Sequence, residues 1–113
     1  MTSIAIVDSG GANIASLLFA IERLQYRAVL TSDRTTIESA DRVILPGVGA
    51  AKDAMSRLRH AGLDDVIRGL SQPVLGICLG MQLLFDRSDE EDTECLGIIP
   101  GIPAKLPATS DAP

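Results

Sequence analysis

The sequence contains no tryptophan, and aromatic residues make up only 3% of its 113 residues. Proteins that bind single-stranded nucleic acids stack bases on aromatic side chains, so this composition disfavours that function. Basic residues are also scarce, since 10 Lys and Arg stand against 15 Asp and Glu and the net charge is -5. We therefore expect no nucleic-acid partner, because such binding depends on clustered basic side chains.

Long apolar runs and cysteine pairs are missing as well. No apolar run approaches the roughly 20 residues that span a bilayer, and the first one, residues 4–7, is too short for a signal peptide. The two cysteines, Cys78 and Cys95, can form neither a disulfide framework nor a C-x-x-C metal site. We expect a cytoplasmic protein that has no membrane partner and needs no metal or cofactor.

Short apolar runs alternate with segments of helical periodicity. The pattern predicts strands at 4–7, 28–30, 42–45 and 74–77. It predicts helices at 14–25, 51–58 and 63–70 and just after Cys78, and residues 31–41 have room for one short helical turn. This alternation is typical of an α/β protein with an open, doubly wound parallel sheet. The length allows one domain and little more, and we see no domain boundary within residues 1–113.

Glycine-rich turns follow three of the predicted strands, at residues 8–13, 46–49 and 76–80. Ligands of doubly wound sheets bind at the carboxyl ends of the strands, so these turns predict the position of the site. Asn13, at the end of the first turn, is the predicted N-cap of the first helix.

The sequence changes character after residue 86. We interpret the acidic stretch 86–94 as a solvated loop, 96–106 as two weak strand candidates, and 107–113 as a further loop. A doubly wound domain does not normally stop in a loop after four core strands, so we expect the sequence to be a part of a longer chain. The sheet should then expose an apolar edge and face, which favours aggregation.

Cys78 lies in the pattern Gly-Ile-Cys-Leu-Gly between a predicted strand and a predicted helix. This is the arrangement of a nucleophile elbow, in which a sharp turn lifts the nucleophile above the sheet edge. The start of the helix would favour the thiolate, and the N–H of Leu79 would point toward an oxyanion. The alternative is that Cys78 is a small buried apolar residue, as most free cysteines are.

Acyl transfer by a thiol also requires a second oxyanion donor and a base. The turn at residues 46–49 could provide the donor if its strand lies beside the strand of Cys78, although it could equally be a simple strand-to-helix turn. The one histidine, His60, ends a predicted helix among basic neighbours, so we interpret it as a surface residue. The sequence thus predicts a nucleophile without a base.

Three segments, residues 46–49 (PGVG), 76–85 (GICLGMQLLF) and 96–101 (LGIIPG), resemble the class I (triad) glutamine amidotransferases. Within that family the resemblance is strongest to the glutaminase subunits of imidazole glycerol phosphate synthases. It implies a flavodoxin-like amidotransferase fold. It also implies that Cys78 is the nucleophile, that Val48 and Leu79 are the backbone oxyanion donors, and that Gly49 and Gln82 bind the substrate glutamine.

The resemblance further implies that ammonia from glutamine passes to a (β/α)8-barrel cyclase partner in a heterodimer of histidine biosynthesis, with Asn13 near the partner interface. The family's catalytic His and Glu belong to a motif that this sequence does not contain. A non-catalytic remnant that binds the cyclase therefore stays open as an alternative, as does an amidotransferase of another pathway. A receiver-type signalling domain is excluded because Pro46 and Gly47 stand where its phosphoacceptor Asp is required.

Overall fold

The computed structural model describes residues 2–10, 14–85, 87–88 and 93–99, in which strands and helices alternate as the sequence predicts. The strands are β1 (Ser3–Val7), β2 (Arg27–Thr31), β3 (Arg42–Gly47), β4 (Val74–Cys78), β5 (Arg87–Ser88) and β6 (Thr93–Glu94). The helices are α1 (Ala15–Arg23), α2 (Arg34–Ser39), α3 (Ala51–His60), α4 (Leu63–Arg68) and α5 (Leu79–Leu83). Among the described residues, no helix is both long and apolar enough to cross a membrane.

The main sheet contains four parallel strands in the spatial order β2-β1-β3-β4. Ile6 of β1 lies between Leu30 of β2 and Ile44 of β3, so β1 is central. The chain moves from β1 to β2 on one side and then crosses back to β3 on the other. This confirms the predicted open doubly wound sheet, whose ligand crevice lies outside the carboxyl ends of β1 and β3, where the strand order reverses.

The two faces of the sheet are covered unequally. Ala5, Val7, Val43 and Leu45 point to the face on which α2, α3, α4 and α5 build the larger core cluster. The opposite face carries only α1 among the described elements, with Ile6, Ile21 and Ile44 in a small second cluster. A parallel sheet is apolar on both faces, so this second face has more apolar surface than α1 covers.

An open groove of about 640 Å³ runs along this second face. It lies between α1 and the β3–β4 half of the sheet and is lined largely by apolar side chains, among them Leu17, Ile44, Leu75 and Ile77. Leu75, in the middle of β4, is 59% exposed. The expected apolar face is thus present in the described part of the chain.

Several predicted boundaries were wrong, among them the end of α4, which is Arg68 rather than residue 70. Helix α1 ends at Arg23 rather than at residue 25, because Gln25 adopts a left-handed conformation with φ 64° that a helix cannot continue. Strand β3 continues through Pro46 and Gly47, which were assigned to the following turn. The fixed φ of proline suits an extended strand, and its position keeps Leu45 extended as well.

The region after residue 85 is also more ordered in its described parts than a solvated loop. Strands β5 and β6 pair in antiparallel orientation, and Thr93 is buried. Cys95 and Leu96 are buried without forming a strand, and Ile99 makes an isolated parallel bridge to Phe85. The rest of the predicted acidic loop, the weak strands beyond residue 99 and the loop at 107–113 lie outside the described residues, as does Asn13.

Candidate functional site

Cys78 is the last residue of β4 and the residue that precedes α5. Its backbone angles are φ 56° and ψ -126°, so a non-glycine residue occupies a conformation with positive φ. Such a conformation costs on the order of 1–3 kcal/mol and persists only where the surrounding structure enforces it. The side chain is exposed. The thiol therefore stands outside the sheet edge, where it can reach an electrophile.

Three glycines allow the backbone to turn so tightly at Cys78. A Cβ on Gly76 would lie 2.6 Å from the Cα of Met81, and a Cβ on Gly80 would overlap the carbonyl oxygen of Leu45. Gly47 is similarly close, since a Cβ there would lie 3.0 Å from the amide nitrogen of Gly80. Gly76 and Gly80 leave no room for a side chain where α5 begins directly over the ends of β3 and β4, whereas at Gly47 the backbone of Gly80 would have to shift slightly.

The turn after β3 lies beside this elbow. Gly47 is paired in register with Cys78, so Val48 and Gly49 follow at the strand end nearest to the thiol. Val48 is 48% exposed, and Gly49 has φ 84° with open space around it. Ala50 then caps α3, which starts at Ala51. The structure thus confirms that strand three lies next to the strand of Cys78.

The turn after β1 lies on the same rim of the sheet. The N–H of Gly10 donates to Asp8 Oδ1 at 3.1 Å, and the N–H of Asp8 donates to the carbonyl of Thr31 at 2.9 Å. Gly10 has φ 83°. Helix α1 has Ile14 at its cap position without a side-chain cap hydrogen bond. The prediction of Asn13 as the cap was wrong, since Ile14 is the cap residue, and Asn13 itself lies outside the described residues.

Two further predicted site residues, Leu79 and Gln82, lie in α5, directly after Cys78. Leu79 is only 7% exposed, so its side chain belongs to the core and only its backbone is offered for chemistry. Gln82 follows within the same short helix and is half-buried. Met81, which sequence reasoning did not select, is exposed between them. The only indication in the sequence is that Met81 directly follows the elbow pattern at residues 76–80.

His60 and Cys95 are positioned differently. His60 is the last residue of α3 and is exposed. Since α3 starts at the rim with Ala51 and rises about 1.5 Å per residue, His60 ends about 14 Å further along the helix axis. Cys95 is 2% exposed, and its thiol donates to the carbonyl of Thr93 at 3.5 Å. The two cysteines thus differ sharply in accessibility.

Among the described residues, two carboxyl groups have lowered pKa values, and both have structural roles. The side chain and backbone of Thr36 donate to Asp33 at the start of α2, which lowers the pKa of that carboxyl. The backbone and side chain of Ser3 donate to Asp41, with the same effect on its pKa. Asp41 precedes β3, at the opposite end of the strand from the turn beside Cys78. Within the described residues, no three His, Cys, Asp or Glu side chains come together as a metal site.

Comparison with known proteins decides the family. Residues 5–93 match the family described as Glutamine amidotransferase class-I. The chain belongs to this family. The solved structure titled "Crystal structure of glutamine amidotransferase" superposes on 88% of the chain and 54% of its own length with a TM-score of 0.74. At 21% identity that likeness shows the amidotransferase fold, in agreement with the sheet order above.

Curated amidotransferase relatives are considerably closer in sequence. The "Imidazole glycerol phosphate synthase subunit HisH" of Xanthomonas axonopodis pv. citri (strain 306) is 57% identical over 102 residues, which are 90% of this chain and 51% of the relative. The protein with the same description from Xylella fastidiosa (strain Temecula1 / ATCC 700964) is 50% identical over 97% of this chain and 56% of its own. The chain spans about half the length of these relatives.

Proposed function

We propose that the chain is the glutaminase subunit of an imidazole glycerol phosphate synthase, of which residues 1–113 form the N-terminal portion of one glutamine amidotransferase domain. The observation that carries the proposal is the elbow at Cys78, an exposed thiol on a positive-φ residue directly beside the turn after β3. The family match over residues 5–93 and the description of the Xanthomonas and Xylella relatives support it.

Cys78 performs the covalent step. Its thiolate attacks the side-chain amide carbon of glutamine, and the carbonyl electron pair moves to oxygen. When the tetrahedral intermediate collapses, the C–N bond breaks, ammonia leaves after taking up a proton, and a glutamyl thioester remains. Water then adds to the thioester, the C–S bond breaks, and glutamate leaves while the thiol is restored.

Backbone amides at the two neighbouring strand ends stabilise the oxyanion. The N–H of Leu79 follows the nucleophile directly, and the N–H of Val48 belongs to the turn that begins at Gly47, the register partner of Cys78. Loss of one such donor costs roughly 10²–10³-fold in rate in other acyl-transfer enzymes. Gly49 and Gln82 flank this position and bind the substrate glutamine.

The base of the reaction is not assigned to this chain. His60 is the only histidine of the sequence, and α3 carries it away from the rim on which Cys78 lies. A thiol that lacks a base has less thiolate and no proton donor for the leaving ammonia. Removal of such a partner typically lowers the rate by several orders of magnitude.

The ammonia passes to a (β/α)8-barrel cyclase, with which the glutaminase forms a heterodimer in the cytoplasm. The cyclase uses it to form imidazole glycerol phosphate and an aminoimidazole carboxamide ribotide in histidine biosynthesis. Asn13 matches a family position near this interface. The description of the relatives as synthase subunits supports this assembly.

Glutamine turnover in the native protein tests the proposal. Glutamate release should require the cyclase and should fall to background in Cys78→Ala, and mass spectrometry of the trapped enzyme should find the glutamyl group on Cys78. The Cys95→Ala variant is the matched control and should keep its activity. If the native protein binds the cyclase without any turnover, it is a non-catalytic remnant. Turnover that does not depend on Cys78 would exclude the assigned nucleophile.

A further inference from the structure

The helix that follows Cys78 depends on a distant segment for its stability. Helix α5 has only five residues, Leu79–Leu83, far fewer than an isolated helix needs in water. Its last carbonyls accept hydrogen bonds from the segment 96–99. The N–H of Leu96 donates to Leu83 at 2.8 Å, and the N–H groups of Ile98 and Ile99 donate to Leu84 at 2.8 and 2.7 Å.

The side chain of Arg68 also binds this part of the chain. Arg68, the last residue of α4, donates from Nε to the carbonyl of Leu96 at 2.9 Å and from Nη2 to the carbonyl of Cys95 at 3.3 Å. Its Nη1 contacts Asp64 at 3.4 Å and Asp65 at 3.3 Å, so its own helix fixes the guanidinium. The planar fork of arginine suits two adjacent carbonyls, which lysine cannot hold in the same geometry.

We propose that Arg68 is a positioning residue for the Cys78 nucleophile. It fixes the carbonyls of Cys95 and Leu96, Leu96 caps α5, and α5 maintains the strained backbone at Cys78. Positive φ at a non-glycine residue persists only under such external constraint. The inference rests on the proposed function only for its effect on turnover, since the conformation of the thiol can be measured without glutamine.

Arg68→Met and Arg68→Lys, made in the native protein, test the inference. We measure the rate at which iodoacetamide alkylates Cys78, and separately kcat and KM for glutamine with the cyclase present. Displacement of a reacting group by about 1 Å can cost roughly 10²-fold in rate. We therefore expect kcat to fall about 10- to 100-fold in Arg68→Met with KM nearly unchanged, because Arg68 does not contact the glutamine site. The kcat of Arg68→Lys should lie between the kcat of Arg68→Met and that of the native protein.

Gln72→Ala is the matched control, since a merely destabilised protein must be distinguished from a mispositioned thiol. Gln72 caps the carbonyls of Ile37, Glu38 and Ala40 and has no hydrogen bond to α5 or to the segment 96–99 in the described structure. It should lower the melting temperature and leave the alkylation rate of Cys78 as in the native protein.

The outcomes separate the two proposals. A changed Cys78 alkylation rate in the arginine variants but not in Gln72→Ala supports the positioning role, even if no variant or native protein hydrolyses glutamine. Native alkylation and native kcat in folded Arg68→Met overturn it and leave the glutaminase proposal intact. If Arg68→Met does not fold, Arg68→Lys decides in the same way, and native values in that folded variant overturn the inference.

Discussion

Gly47 and Cys78 lie side by side at the carboxyl ends of β3 and β4, paired in register. The relationship places the strained thiol residue next to the turn that begins at Val48. It also explains why residue 47 is a glycine, since a side chain there would press on the amide of Gly80 at the start of α5. The elbow is therefore a property of two strands rather than of the Gly-Ile-Cys-Leu-Gly segment alone.

The two thiols should react at very different rates. Cys78 is exposed, whereas Cys95 is buried, so iodoacetamide should alkylate Cys78 faster by about 10-fold or more. Peptide mass spectrometry over a time course measures both rates in one sample. Equal alkylation rates of the two thiols in the folded protein would contradict the exposed elbow. The control is the protein unfolded in urea, in which the two rates should be equal.

Gly80 should tolerate no side chain. A Cβ there overlaps the Leu45 carbonyl, so Gly80→Ala should lower the free energy of unfolding by about 1–3 kcal/mol or more. Gly69→Ala is the control, because a Cβ at Gly69 meets its nearest atom, the carbonyl oxygen of Asp65, at an ordinary 3.5 Å. That change should be neutral or stabilise by about 0.5 kcal/mol. Urea unfolding of both variants measures the difference, and similar values would contradict the close contact.

Gln72 should contribute to stability through its amide. Its Nε2 donates to three carbonyls at the end of α2, at 3.0, 3.2 and 3.0 Å. Removal of this donor takes a hydrogen bond from the partly buried carbonyls of Ile37 and Ala40, so Gln72→Ala should cost about 1–3 kcal/mol. Gln72→Met keeps the length of the side chain and should cost nearly as much in a chemical unfolding experiment. A methionine variant as stable as the native protein would show that packing, and not hydrogen bonding, is responsible.

Asp41 should make the free energy of unfolding depend on pH in the acidic range. Hydrogen bonds from the backbone and side chain of Ser3 lower the folded-state pKa of Asp41 below its ordinary 3.8. The stabilisation by ionised Asp41 is thus present above pH 3.8, and it is lost as the pH falls through the lower folded-state pKa. At pH 6 the native protein should have a higher urea midpoint than Asp41→Asn. The two midpoints should converge as the pH falls below 3.8. A difference that stays constant with pH would exclude a contribution from ionised Asp41.

The groove beside Leu75 should promote self-association of the 113-residue chain. Its open apolar surface favours contact with other molecules, so Leu75→Lys should shift sedimentation profiles toward the monomer. Val29→Lys is the control, since Val29 is 56% exposed but lies outside the groove. A chain that melts as a cooperative monomer without any substitution would contradict this prediction.

Periodicity and turn residues predicted the strands, the longer helices and the elbow at Cys78, because these depend on local sequence. The left-handed Gln25 was missed because nothing local distinguishes it from a residue that continues the helix. The contacts of Gly80 with Leu45 and of Arg68 with Leu96 were missed for another reason. They join residues more than 25 positions apart through backbone carbonyls, which every residue has and which leave no pattern in the sequence.

The strand order has a consequence for the sequence of events during folding. Strand β4 pairs with β3 on the side away from β1, with Cys78 beside Gly47 and Gly76 beside Leu45 of that earlier strand. The ribosome produces β1, β2 and β3 before β4, and a domain generally folds as a unit. The positive-φ backbone at Cys78 therefore cannot be set before β4 has been made and has paired with β3.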